Sequence, residues 1–107
     1  MVYSIDELRR IITPIAKKYN IPAVYLFGSY ARGEADDKSD VDVLIQRTGS
    51  SIKGITIGAL YNDLQESLQK EVDLVTVEAL SQHTDRYGAK QFAETLLRER
   101  KAIYERF

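Results

Sequence analysis

The sequence predicts a small α/β domain in which helices flank a mixed β-sheet. Two observations predict this class. Three short apolar runs have the length and composition of buried strands, and amphipathic helical stretches alternate with them along the chain. The 107 residues suffice for a single domain, residues 1–107, with its own hydrophobic core. The expected order is helix, strand, short helix, strand, helix, strand, helix.

The first predicted element is a helix from Ser4 to Tyr19. Ser4 and Glu7 have the spacing of a capping box, and apolar residues then recur with a 3.6-residue period. Pro14 removes one backbone donor, so we expect it to kink or interrupt the helix. Pro22 lies just beyond the predicted end of this element.

Three apolar runs are predicted to be strands, and they cover residues 23–27, 41–46 and 72–77. The first and second runs are joined by a turn with one or two helical turns in residues 28–35, which favours an antiparallel pair. The second and third are joined through a helical stretch that ends near Lys70, which permits a parallel pair. We therefore expect a mixed sheet.

The C-terminal part of the chain is predicted to be an irregular segment followed by a helix. Residues 81–88 are polar and are expected to be irregular. The spacing of apolar residues between Phe92 and Tyr104, with charges at residues 98–101, predicts a final helix with a charged outer face.

Composition excludes several classes of protein. Fifteen basic residues nearly balance sixteen acidic ones, which argues against a dedicated nucleic-acid binder but permits a nucleotide ligand. Without cysteine there can be no disulfide and no thiolate zinc site. We find no signal-peptide core and no apolar run of membrane length, so we expect a cytoplasmic protein with no membrane association.

A candidate phosphate-binding turn follows the first strand. Gly28 allows a sharp turn and a close approach of the backbone to a ligand. A turn that leads into a short helix presents free backbone N–H groups, and the hydroxyl of Ser29 can donate to a phosphate oxygen. Taken alone, Gly-Ser after a strand is also ordinary turn chemistry.

Three aspartates form a candidate metal site. Asp40 and Asp42 are two residues apart at a strand start and so project to the same face, and Asp73 joins them if the third strand pairs beside the second. Carboxylates so close repel one another, and a divalent cation removes that penalty. Magnesium prefers such ligands together with phosphate oxygens and water. The set could hold two ions, or hold one while a carboxylate acts as a base.

These residues resemble the motif of a known family. The run from Leu26 to Gly33, followed by Ser39 to Ile45, is similar to the minimal nucleotidyltransferase family of the DNA polymerase β superfamily. The motif of that family is Gly-Ser, ten intervening residues and Asp-x-Asp, and residues 30–39 supply the ten. The resemblance spans nearly the whole chain and implies a polymerase β-type nucleotidyltransferase fold.

The resemblance also implies roles for individual residues, with ATP as substrate and Mg²⁺, or Mn²⁺, as the metal. It assigns phosphate binding to Gly28 and Ser29, metal ligation and catalysis to Asp40, Asp42 and Asp73, and a match to the family arginine to Arg32. That arginine either contacts the nucleotide or pairs with a nearby acid such as Asp40 and braces the loop.

The family often pairs with an all-helical HEPN ribonuclease, as the antitoxin of a toxin–antitoxin system. The resemblance therefore implies transfer of AMP to a tyrosine of a HEPN toxin, with Asp73 helping to deprotonate the hydroxyl. Little chain follows the third strand, so a partner or a second copy of the chain could complete the site. The alternatives are neutralisation of the partner by binding alone, and transfer to a small molecule. The sequence leaves the acceptor, the base preference and the oligomeric state open.

Overall fold

The computed structural model describes residues 2–47, 54–82 and 89–106. It confirms the α/β class, with helices flanking a mixed sheet. In chain order the elements are α1 (Ile5–Lys18), β1 (Ala23–Phe27), α2 (Gly28–Arg32), β2 (Val41–Gln46), α3 (Gly54–Leu68), β3 (Val72–Thr76), α4 (Val77–Gln82), α5 (Ala89–Glu99) and β4 (Lys101–Glu105).

The four strands form one sheet in the order β3-β2-β1-β4. Strand β1 is antiparallel to both β2 and β4, whereas β2 and β3 are parallel. The lengths of the connections predicted the orientations of β1 with β2 and of β2 with β3. In this register Phe27 lies opposite Asp42, and Asp42 lies opposite Asp73. The end of β1 therefore meets the beginnings of β2 and β3 at one end of the sheet.

The capping box at the start of α1 is confirmed. The Ser4 side chain accepts a hydrogen bond from the backbone N–H of Glu7 at 3.0 Å, and the Ser4 N–H donates to the Glu7 carboxylate at 2.9 Å. The predicted interruption at Pro14 is wrong, because α1 runs through it. Pro14 lies on the exposed face of the helix, where water can reach the carbonyl that loses its partner. The buried side chains of the opposite face hold the helix against the sheet.

The sheet divides the apolar residues into two layers of unequal size. Alternate residues of β1 face opposite sides of the sheet: Val24 and Leu26 join a large core with α1 and α3, whereas Tyr25 and Phe27 join a small cluster. Among the described residues, α5 supplies one buried side chain, Leu96, to that small cluster. The second face of the sheet is thus thinly covered near the end where the aspartates lie.

The predicted final helix is wrong in its second half. Helix α5 ends at Glu99, and Lys101–Glu105 returns as strand β4 beside β1. The reason is that β1 is buried along its whole length, so the backbone N–H and C=O groups of both its edges need partners. Strand β4 supplies the backbone partners for the second edge of β1, and its Ile103 is buried, with 3% of the side chain exposed.

The segment after β3 also differs from the prediction. Strand β3 ends at Thr76 rather than Val77, and the short helix α4 follows, although the residue pattern there predicts no helix. The Thr76 hydroxyl accepts a hydrogen bond from the N–H of Ala79 at 3.1 Å, which stabilises the first turn. The rest of the predicted irregular segment, residues 83–88, lies outside the described residues. Within the described part of the chain, no helix has both the length and the hydropathy needed to cross a membrane.

Candidate active site

Gly28 brings the turn after β1 into direct contact with a carboxylate. Its φ is +68°, in the left-handed region that favours glycine. A Cβ atom at this position would lie 2.0 Å from Oδ2 of Asp42, so a side chain is excluded by contact as well as by conformation. The pairing of Phe27 with Asp42 across β1 and β2 produces this close approach. The candidate phosphate turn and the candidate metal site therefore adjoin.

Asp42 and Asp73 lie side by side at the same end of the sheet. They are register partners in the parallel pair of β2 and β3, as expected if the third strand paired beside the second. Asp42 is half-buried, whereas Asp73, on the edge strand β3, is exposed. The two carboxylates thus differ in their access to solvent.

The carboxylate of Asp42 lies in an electrostatically unfavourable position. Burial raises its pKa most, and the negative charges of Asp73 and Asp40 raise it further, from 3.8 to about 6. The positive charge of Arg32 acts in the opposite direction but does not compensate. An additional positive charge would therefore stabilise ionised Asp42, which is the property expected of a cation ligand.

Asp40 stands at the margin of this site. It precedes β2 directly, is exposed, and does not line the cleft in front of Asp42, although its charge acts on Asp42. In the described ranges, no three acidic or histidine side chains are already arranged around a point where an ion could sit. The donor set fits Mg²⁺ that arrives with a nucleotide, because Mg²⁺ uses one or two carboxylates and takes its other ligands from phosphate and water.

A cleft of about 270 Å³ opens in front of the two acids. It lies between the end of the sheet, helix α2 and helix α5. Residues of five elements line it: Phe27, Gly28, Arg32, Asp42, Asp73, Phe92, Thr95, Leu96 and Glu99. The four α5 residues have the spacing of one helix face, so this face of α5 forms one wall of the cleft. The residue pattern predicts the sheet side of the cleft but not the residues of α5.

Arg32 pairs with acids other than the one considered from the sequence. Its Nε donates to Glu34 at 2.5 Å, and its Nη1 lies 3.5 Å from a carboxylate oxygen of Glu99. The first pair is local, whereas the second joins α2 to α5 across one end of the cleft. Arg32 thus braces the cleft and is also part of its lining.

Ser29 lies in the first turn of α2 and is half-buried. It does not line the cleft, although the preceding Gly28 does. Its backbone carbonyl accepts a hydrogen bond from the N–H of Glu34 at 2.8 Å, and Gly33, with φ +74°, ends the helix between them. The turn that carries Gly28 and Ser29 is therefore held at both ends, by β1 and by this cap.

Two solved structures have a similar fold. One is a toxin–antitoxin crystal structure with AMP-PNP, in which the matching chain gives a TM-score of 0.69 at 20% identity and the match covers 91% of this chain and 73% of that chain. The other is a tri-AMPylated Shewanella oneidensis HEPN toxin in complex with its MNT antitoxin. It gives a TM-score of 0.62 at 18% identity, and the match covers 94% of this chain and 72% of that chain. At these identities the similarity shows a shared fold.

Sequence relatives are closer. The protein adenylyltransferase MntA of Thermococcus cleftensis is 31% identical over 102 residues, and the match covers 90% of this chain and 92% of the relative. A relative from Methanocaldococcus jannaschii is 36% identical over 77 residues, and the match covers 72% of this chain and 82% of the relative. Its name is also that of a protein adenylyltransferase. Residues 10–106 match the family described as Polymerase beta, Nucleotidyltransferase. The chain belongs to the polymerase β nucleotidyltransferase family.

Proposed function

We propose that this protein is an antitoxin that transfers AMP from ATP to a tyrosine hydroxyl of a HEPN toxin. The observation that carries the proposal is the pair of aspartates, Asp42 and Asp73, that line the cleft side by side, with Asp42 packed against the backbone of Gly28. Relatives of similar length are named protein adenylyltransferases, and the Shewanella oneidensis complex contains a HEPN toxin that carries AMP groups.

In the proposed mechanism, backbone N–H groups at Gly28 and the hydroxyl of Ser29 bind the β- and γ-phosphates of ATP. Asp40 and Asp42 would hold Mg²⁺, or Mn²⁺, which shares its preference for oxygen ligands. Bound metal would offset the repulsion among the carboxylates. It would also offset the negative charge that develops on the triphosphate. The fit is supported by the raised pKa of Asp42, which indicates a site that lacks positive charge.

Asp73 is the better placed of the two paired acids to receive a proton. It is exposed toward the cleft, whereas Asp42 is half-buried against Gly28. The hydroxyl oxygen of the acceptor attacks the α-phosphorus, the bond from that phosphorus to the bridging oxygen of pyrophosphate breaks, and the hydroxyl proton passes to Asp73. The products are AMP-tyrosine and pyrophosphate, and Asp73 later releases its proton to solvent.

A labelling experiment tests the proposal. The protein is incubated with ATP labelled at the α-phosphate, Mg²⁺ and the proposed HEPN partner. We expect label on the HEPN protein, and less than about one hundredth of that rate with Asp42→Asn or Asp73→Asn. The control is Glu66→Gln, which removes an exposed carboxylate from α3 and should leave the rate unchanged. Absence of label when the two proteins bind each other would refute the proposal.

The acceptor atom is tested separately by treating the labelled product with phosphodiesterase and by replacing tyrosines of the HEPN protein with phenylalanine. Loss of label from one such variant would support transfer to a tyrosine hydroxyl. Label retained in all tyrosine variants would refute the tyrosine assignment and leave AMP transfer in place. Chelation of divalent metal should abolish labelling, and labelling that persists in EDTA would refute the metal dependence.

A further inference from the structure

Phe92 is an exposed aromatic side chain in the wall of the cleft. It is 55% exposed, and the described residues include three other exposed large apolar side chains, Val2, Ile55 and Leu97. Of these four, only Phe92 lines the cleft that contains Asp42 and Asp73. Single exposed apolar residues are common and need no explanation, but an aromatic ring facing a charged cleft is a candidate ligand contact.

The contacts of α5 hold Phe92 at a defined end of the cleft. Leu96, one helical turn further on, is 2% exposed and packs in the small cluster, so it anchors this face of α5 against the sheet. Glu99 pairs with Arg32, which places α2 beside the C-terminal end of α5. Phe92 is seven residues before Glu99, or about 10 Å along the helix axis. The cleft thus has a charged end at α2 and an apolar end at Phe92.

This polarity matches the two parts of a nucleotide. The triphosphate is the charged part and belongs with Gly28 and α2, while the nucleobase is uncharged and has an aromatic face. We propose that Phe92 holds the nucleobase of the NTP by stacking, an inference that rests on the proposed nucleotidyl transfer at this site. Stacking of a base on an aromatic side chain works for every base, because each has a π-face.

The lining of the cleft favours stacking over reading of the base edge. Among the described side chains that line it, Thr95 is the one neutral hydrogen-bonding group, since Arg32, Asp42, Asp73 and Glu99 are charged. The cleft is also smaller than the pockets that enclose a whole ligand of drug size. The base is therefore held on one face, and this chain alone binds ATP and GTP with affinities that differ by less than about fivefold.

The test compares a ligand that has a base with one that has none. Dissociation constants in Mg²⁺ are measured for ATP and for inorganic tripolyphosphate, with the wild-type chain, Phe92→Ala, Phe92→Tyr and Leu97→Ala. We expect Phe92→Ala to weaken ATP binding by roughly 5- to 150-fold and to leave tripolyphosphate binding within about twofold. Phe92→Tyr keeps the ring and should restore ATP binding. Leu97→Ala removes another exposed apolar side chain of α5 and should change neither constant.

Equal weakening of both ligands by Phe92→Ala would overturn the inference, because it would indicate a general disturbance of the cleft. No change for either ligand would overturn it as well. The outcomes also separate this inference from the proposed function. If Phe92→Ala weakens only ATP binding and the wild-type chain transfers no AMP, base stacking is supported and the transferase is refuted. If the wild-type chain transfers AMP and Phe92→Ala binds ATP as tightly as wild type, the transferase is supported and base stacking is refuted.

Discussion

Replacing Asp42 with asparagine should stabilise the metal-free protein while it removes activity. The wild-type carboxylate is half-buried beside Asp73 and Asp40, and this raises its pKa in the folded state from 3.8 to about 6. A raised carboxylate pKa means that the unfolded state ionises more readily than the folded one. Above pH 6 the charge on Asp42 therefore favours unfolding, and a neutral amide of the same shape removes that effect.

The magnitude follows from the two pKa values. The difference between 3.8 and about 6 corresponds to an upper limit of about 3 kcal/mol in the free energy of unfolding. Solvent screening at a half-buried side chain reduces this, so we expect about 1–2 kcal/mol at pH 7. For a domain of this size, 1 kcal/mol raises the melting temperature by about 4–8 °C.

The assay is thermal unfolding in EDTA between pH 3.5 and pH 8. Below pH 3.8 wild-type Asp42 is mostly protonated in both states, so the stabilities of the two proteins should converge. The advantage of the Asn variant should appear as the pH rises through 3.8 and be complete above 6. A variant that is less stable than wild type at pH 7 in EDTA, or an advantage that does not depend on pH, would refute this reasoning.

A control with the opposite sign comes from the contact between α1 and α3. Asp63 accepts a hydrogen bond from Tyr19 at 2.5 Å and pairs with Lys18 at 2.9 Å, and these partners lower its pKa. At pH values above the pKa of Asp63 in the unfolded state, its ionised form therefore stabilises the folded protein. This stabilisation is lost as the pH falls. Asp63→Asn should lower the melting temperature at pH 7, whereas Asp42→Asn should raise it.

Three further substitutions test other parts of the account. Gly28→Ala places a Cβ in the left-handed region and against the Asp42 carboxylate. It should therefore destabilise the fold by about 1–3 kcal/mol in urea unfolding and abolish AMP transfer. Retained transfer would contradict the close approach of the Gly28 backbone to Asp42. Glu99→Gln removes one of the two acids paired with Arg32, so Mg-ATP binding measured by calorimetry should tighten by roughly two- to fivefold, and weaker binding would show that Glu99 supports the site. Ile103→Ala truncates a buried side chain of β4 and should lower the free energy of unfolding by about 2–5 kcal/mol; a loss below 1 kcal/mol would indicate that β4 contributes little.

The part of the site on the sheet could be predicted from local sequence. Asp42 and Asp73 interrupt apolar runs, and the lengths of the connections before and after β2 determine which strands can be parallel. Those two facts suffice to bring the acids together. Asp73 is nevertheless more exposed than its apolar neighbours suggested, because β3 is an edge strand and its side chain faces the cleft. Edge position depends on the whole sheet and has no local signature.

The α5 side of the cleft could not be predicted, because its contacts join residues far apart in sequence. Phe92, Leu96 and Ile103 fit one continuous helical periodicity, and nothing local ends the helix at Glu99. The chain turns there because β1 requires a partner on its second edge. In the same way, the pairing of Arg32 with Glu99 spans 67 residues, while the sequence suggested an acid nearby.

We propose that AMP transfer by the aspartate site, rather than binding alone, neutralises the toxin. The most direct measurement uses the Asp40→Asn/Asp42→Asn double variant, produced together with the proposed HEPN partner. Complex formation, labelling of the partner from ATP and ribonuclease activity are measured on the same preparations. We predict that the double variant still binds the partner, transfers no label and leaves the ribonuclease active. Full neutralisation by a variant that transfers no label would contradict the account.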